Sequence, residues 1–78
     1  MEQIKILMID DNVSLIQMVK EYFDKSDQIN IVLEAHNGLE GMDLITSKTN
    51  EFDLILLDLV MPVKDGIYVL KEMRKQKI

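Results

Sequence analysis

Leu54-Ile55-Leu56-Leu57 is a run of four apolar residues set between Asp53 and Asp58. Successive side chains of a strand point to opposite faces, so a strand wetted on one side alternates apolar with polar residues. An unbroken apolar run bounded by acids therefore predicts a strand covered on both faces. That is the environment of a parallel sheet, whose crossover connections lay helices over both of its sides. The run places Asp53–Asp58 in the middle of such a sheet.

The rest of the chain supplies the strands and helices this needs. Ile4-Lys5-Ile6-Leu7-Met8-Ile9 is a β-branched-rich apolar run that stops at Asp10-Asp11-Asn12, three residues that favour turns and helix N-caps. From Val13 to about Lys25, Leu15, Ile16, Val19, Tyr22 and Phe23 recur at spacings of three and four, with Lys20, Glu21 and Lys25 among them. A second strand follows over Ile29–Ala35. Asn37-Gly38 ends it, and Leu39, Met42 and Ile45 open a second helical pattern that fades near Lys48. After the central strand, Met61-Pro62-Val63-Lys64-Asp65-Gly66 reads as a loop, since proline restricts the residue before it and Asp-Gly favours a turn. Ile67, Val69, Leu70 and Met73 then mark a third helix. Met8, Met18, Met42 and Met73 sit at core-compatible positions, where a flexible thioether fills gaps. The sum is a βαβαβα unit, which predicts right-handed crossovers and a doubly wound α/β sheet.

The 78 residues make one domain at most, and a fold of this size buries only ~60% of the surface its unfolded chain exposes. Hydrophobic residues make up 47% and charged residues 29%, an ordinary globular balance, and no run of ~18 apolar residues exists to span a membrane. No cysteine is present, so disulfides, thiolate metal sites and thiol nucleophiles are excluded. The opening Met-Glu-Gln-Ile-Lys lacks the basic segment and long apolar run of a signal peptide, which points to the cytoplasm. Nine basic against fourteen acidic residues leave a net charge of −5, which disfavours contact with a nucleic-acid backbone by this segment.

Three carboxylates fall at the C-terminal ends of predicted strands: Asp10 and Asp11 after the first, Asp58 after the third. Ligands of open α/β sheets bind beyond those ends, where the strand order reverses. If the order is 2-1-3, the three acids converge. Like charges so close oppose one another's ionisation unless a cation lies among them, and Mg2+ is satisfied by one or two carboxylates, waters and a phosphate oxygen. An aspartate can also attack phosphorus to form an acyl phosphate, provided the incoming charge is neutralised and the approach held in line. Plainer roles compete: Asp10, Asp11 or Asn12 could cap the first helix, and Asp58 could simply end a strand. The joint pattern, with Met61-Pro62 and Asp65-Gly66 at fixed distances, favours the chemical reading over coincidence. His36, the only histidine, has no histidine or cysteine to share a metal and reads as a solvated loop-edge residue.

Ile9-Asp10-Asp11-Asn12, Leu54 to Pro62 and Asp65-Gly66 together resemble the signature of response-regulator receiver domains of two-component systems, over the whole chain. The resemblance implies a flavodoxin-like parallel sheet, of which this chain carries a truncated unit of strand order 2-1-3. It implies that Asp58 is the phosphoacceptor, and that Mg2+ or another divalent cation is held by Asp10, Asp11, Asp58 and the main-chain carbonyl of Val60. Asn12 and the Met61–Gly66 loop would shape the rim. The implied partner is a histidine kinase or phosphotransfer protein, and the implied output is transcriptional, through a DNA-binding segment elsewhere. Ala35 to Glu40 and the short third helix resemble, more narrowly, the receiver of a sporulation transcription factor.

Receivers carry two further strands, with a Ser/Thr after the fourth and a Lys after the fifth that contact the phosphoryl group. Neither is present in residues 1–78, and Lys64, Lys71, Lys75 and Lys77 lie at the wrong places to substitute. The expectation is an incomplete receiver domain whose third strand has an unpaired edge, open to strand addition or to a homodimer or swapped dimer. Two readings follow: a phosphorylation-controlled switch that is not an enzyme in its own right, or a metal- and partner-binding module without productive phosphorylation. An aspartate-nucleophile phosphatase would need a second aspartate two residues after the first, where Val60 stands.

Overall fold

The computed structural model describes residues 3–78. The elements run β1 (Ile4–Ile9), α1 (Val13–Phe23), β2 (Ile29–Ala35), α2 (Gly38–Ser47), a 3₁₀ turn (Thr49–Glu51), β3 (Leu54–Leu57) and α3 (Gly66–Gln76). Both pairings are parallel and the strand order is β2-β1-β3, the doubly wound arrangement expected. Helix α1 ends two residues before Lys25. Asp24 N–H donates to the Glu21 carbonyl, and Ser26 Oγ accepts from Gln28 and Ile29 N–H, which turns the chain into β2.

Alternation along β1 sorts the core into two layers. Leu7 and Ile9 join Ala35, Met42, Ile45, Met61 and Val69 on the side of α2 and α3. Met8 packs with Ile16 and Ile31, flanked by Ile6, Val19 and Phe23, on the side of α1. Strand β2 keeps to this division only through an irregularity: Ile6 pairs with Ile31 but Leu7 with Leu33, so Val32 is an extra residue on the outer strand. The bulge lets Ile31 and Leu33 face opposite layers and leaves the outer edge of β2 uneven.

Several apolar residues predicted to be covered are not. On α1, Met18 is 65% and Tyr22 81% exposed, and Leu15 lies with them on the outward arc. Leu39, Ile67 and Leu70 are likewise exposed. Helix α1 lies alone on its side of the three strands and covers only the arc that touches the sheet, so its second apolar arc has nothing to bury against. The same cause exposes one face of β3. Ile55 and Leu57 pack against the larger core, whereas Leu54 is 54% and Leu56 47% exposed. β3 is an edge strand among the described residues, as the 2-1-3 order with an unpaired third strand implies, although its apolar run taken alone predicts a strand covered on both faces.

Candidate metal centre

Because β1 and β3 are neighbours, with Ile9 opposite Leu57, the residues that follow them emerge side by side. Asp58 N–H donates to the Ile9 carbonyl at 3.0 Å, and Asp10 N–H to the Ala35 carbonyl at 3.0 Å, so both acids leave their strands from fixed backbone positions. Asp10 is only 8% exposed, Asp58 is half-buried and Asp11 is exposed. One carboxylate oxygen from each lies within 4.8 Å of the others. The three acids singled out from the sequence are thus brought together.

Local hydrogen bonds orient two of the carboxylates. Asp10 Oδ1 accepts from Asn12 N–H at 2.9 Å, and Asp58 Oδ1 accepts from Val60 N–H at 3.1 Å. The capping role open to all three residues of the Asp10-Asp11-Asn12 turn falls to Asn12, whose Oδ1 accepts from Leu15 N–H at 3.0 Å and starts α1. Asp10 and Asp11 are left free of that duty, at the positive end of a helix dipole that favours nearby negative charge. Replacing Asn12 by alanine is expected to lower unfolding free energy by ~1 kcal/mol, read as a shifted urea midpoint with unchanged slope.

The loop that leaves Asp58 is tied down at both ends. Met61 is buried in the core shared with α2 and α3, and Asp65 Oδ1 accepts from Tyr68 N–H at 3.0 Å to cap α3. Asp65-Gly66 is therefore more than a turn. A Cβ on Gly66 would run into the Asp58 carbonyl and lie 2.7 Å from Leu59 Cα, so α3 starts directly against the backbone of the third acid. Lys64 adopts the left-handed conformation (φ 45°), with its Nζ 5.2 Å from the centroid of the Tyr68 ring.

His36 is half-exposed but not free. Its Nε2 lies 3.1 Å from Glu34 Oε2, while Lys20 Nζ lies 3.0 Å from Glu34 Oε1. Glu34 ties α1, β2 and the chain entering α2 together. Sequence reasoning passed over it, because a lone acid in an apolar strand reads as a solvent-facing residue. The hydrogen bond with His36, and then that with Lys20, hold the Glu34 carboxyl below its ordinary value. A depressed carboxylate contributes stability that is complete above its unfolded-state value and is lost as pH falls through the folded one. Glu34→Gln is accordingly expected to lower stability slightly at neutral pH and to change it little in acid, below the folded value, which flattens the acid limb of a stability-against-pH curve. Solvent screening keeps this effect small.

Comparison with known proteins agrees with this architecture. The family model for the "Response regulator receiver domain" matches residues 6–78. The chain is 40% identical over 74 residues to the "Probable C4-dicarboxylate response regulator DctR" of Bacillus subtilis, covering 95% of this chain and 32% of that protein. It is 41% identical over 75 residues to the transcriptional regulatory protein CiaR of Streptococcus pneumoniae, covering 96% of this chain and 31% of that one. The chain spans about a third of the length of these relatives. Among solved structures, a response regulator receiver domain protein of Clostridium thermocellum superposes with a TM-score of 0.76 at 30% identity, over 94% of this chain and 56% of that one. With the matching sheet order and the strand-end acids, these similarities establish that the chain belongs to the response regulator receiver domain family.

Proposed function

We propose that the chain is the phosphoacceptor portion of a two-component switch, in which Asp58 takes a phosphoryl group from a histidine kinase or phosphotransfer protein. The observation that carries this reading is the convergence of Asp10, Asp11 and Asp58 within 4.8 Å at adjoining strand ends. Hard carboxylate oxygens of this number suit Mg2+, and Asp10, Asp11, Asp58 and the main-chain carbonyl of Val60 would hold it. When bound, the ion supplies positive charge that offsets both the clustered carboxylates and the phosphoryl oxygens.

The chain's own residues do the rest. The Val60 N–H bond restrains rotation of the Asp58 carboxylate, so that it meets the phosphorus already oriented. An Asp58 oxygen forms the new bond to phosphorus as the bond from phosphorus to the donor nitrogen breaks, and that nitrogen keeps the electron pair and is reprotonated. The product is an acyl phosphate on Asp58. With a net charge of −5, the segment acts on DNA only through an attached output region, consistent with the transcriptional regulator among its relatives. We place that activity in the cytoplasm. No described helix is long and apolar enough to cross a membrane.

Incubation with Mg2+ and a small phosphodonor, followed by intact-mass measurement, tests the reading. A gain of one phosphoryl group that requires Mg2+ supports it, and no gain overturns it for this chain. The exposed edge and face of β3 favour a second reading, a module that binds metal and a partner chain without forming the acyl phosphate. Mg2+ binding with no mass gain, together with a dimer in solution, would select that one.

A further inference from the structure

The β3–α3 loop is held from outside at a point that the three acids do not explain. Gly38, the first residue of α2, donates its N–H to the Val63 carbonyl at 3.3 Å. A Cβ at Gly38 would collide with the Lys64 carbonyl oxygen and sit 2.7 Å from the carbonyl carbon. Both obstructing atoms are backbone, so no side-chain rotation would relieve them. Gly38 is buried, and the contact reaches the loop at Lys64, a non-glycine residue held at φ 45°. A left-handed backbone at such a residue persists only where its surroundings impose it. The close approach of α2 is one such constraint.

Between the Asp58-to-Val60 turn and Val63 lie only Met61, buried in the core, and the stiff Pro62. A shift at Lys64 is therefore passed to Val60 and not absorbed. We propose that Gly38 is a positioning residue for the acceptor site: by admitting the Val63-Lys64 backbone against the head of α2, it sets where the Val60 carbonyl and the Asp58 carboxylate stand. This rests on the reading of Asp10, Asp11 and Asp58 as a Mg2+ site. It also makes α2 mechanically continuous with the metal centre, although no side chain of α2 belongs to that centre.

Gly41, one turn along the same helix, serves as the internal control. The three atoms nearest a Cβ there all belong to the Ile9 side chain, Cδ1 at 2.6 Å and Cγ1 and Cγ2 at 3.2 Å, and none is backbone. Both alanine variants disturb packing, but only Gly38→Ala displaces the loop. Supporting groups of a metal site typically alter affinity 10–100-fold, so Gly38→Ala is expected to raise the apparent Mg2+ dissociation constant about tenfold or more. Gly41→Ala should change it less than about twofold, even where the two lose similar thermal stability.

A measurement on the unaltered protein covers the case in which Gly38→Ala does not fold. In a Mg2+ titration followed by amide NMR, the Gly38 N–H, bonded to Val63, should shift with the same saturation constant as the Asp11 and Asp58 amides. The Gly41 amide should stay in place. If the Asp11 and Asp58 amides respond and Gly38 does not, or if folded Gly38→Ala binds Mg2+ like the native protein, the positioning role is overturned. If the Asp11 and Asp58 amides themselves ignore Mg2+, the metal-site reading fails and takes this inference with it.

Discussion

Asp58→Asn is expected to abolish Mg2+-dependent phosphoryl uptake completely while leaving the chain folded, and in the absence of Mg2+ to make it more stable. The loss follows from chemistry: the amide oxygen that replaces the carboxylate is a poor nucleophile and carries no charge for a cation. The gain follows from electrostatics. Three carboxylates with oxygens within 4.8 Å of one another repel, and unit charges at ~4 Å interact by about 1 kcal/mol even at the dielectric of bulk water. Removing one of them relieves part of that repulsion, so the apo melting temperature should rise. In Mg2+ the order should narrow or reverse, because the native protein gains RT ln(1 + [Mg2+]/Kd) from a ligand that the variant binds poorly. Thermal melts with and without Mg2+, run beside intact-mass assays with a small phosphodonor, give four readings that must agree. An Asp58→Asn chain that still acquires a Mg2+-dependent phosphoryl group would place the acceptor elsewhere. One that loses uptake because it has unfolded would show it in the melt.

The acids are legible in the sequence alone because of where they stand. Asp10, Asp11 and Asp58 interrupt apolar runs at strand ends, where a charged residue is needed neither by the core nor by the strand. Parallel topology then leaves little freedom in where they go. The order of elements was readable for the same reason, since periods of two and of three to four alternate along the chain. What could not be read depends on contacts between distant residues. The bulge at Val32 exists because Ile31 and Leu33 must serve opposite layers, a demand set by their neighbours Ile6 and Leu7 on β1. Gly38 looks like ordinary helix-start punctuation until Lys64 is seen lying against it. Met18, Tyr22 and Leu39 carry the right spacing for a core, but spacing does not reveal how wide an arc the sheet can cover. Glu34 gave no signal because Lys20, which fixes it to α1, lies fourteen residues away, and its neighbour His36 two residues on does not by itself mark an ion pair.

A polypeptide of these 78 residues is expected to self-associate through β3, and Leu56→Lys is expected to weaken that association strongly. The two outer edges of the sheet are unlike. On β2, the Val32 bulge distorts the edge and the Lys20-Glu34-His36 cluster adds charge beside it, two devices that discourage strand addition. β3 has neither: Leu54–Leu57 is regular, contains no proline, lysine or bulge, and is hydrogen-bonded only to β1. Leu54 and Leu56 also leave apolar surface beside that edge, so a strand that adds there gains both backbone hydrogen bonds and burial. Asp53 is engaged in the opposite direction, its Oδ2 accepting from Lys5 N–H at 2.9 Å, and offers the free edge little protection. Sedimentation velocity across micromolar to millimolar concentrations, the range in which exposed edges associate, should show mass rising with concentration. A lysine at position 56 places a strongly hydrated charge on the face that would be covered. It should raise the dissociation constant about tenfold or more, equivalent to about 1.4 kcal/mol, with little change in the monomer's circular dichroism because that side chain is already half in water. A chain that stays monomeric throughout would show that the open edge of β3 is tolerated in water, and would remove the physical basis for reading this segment as a partner-binding module.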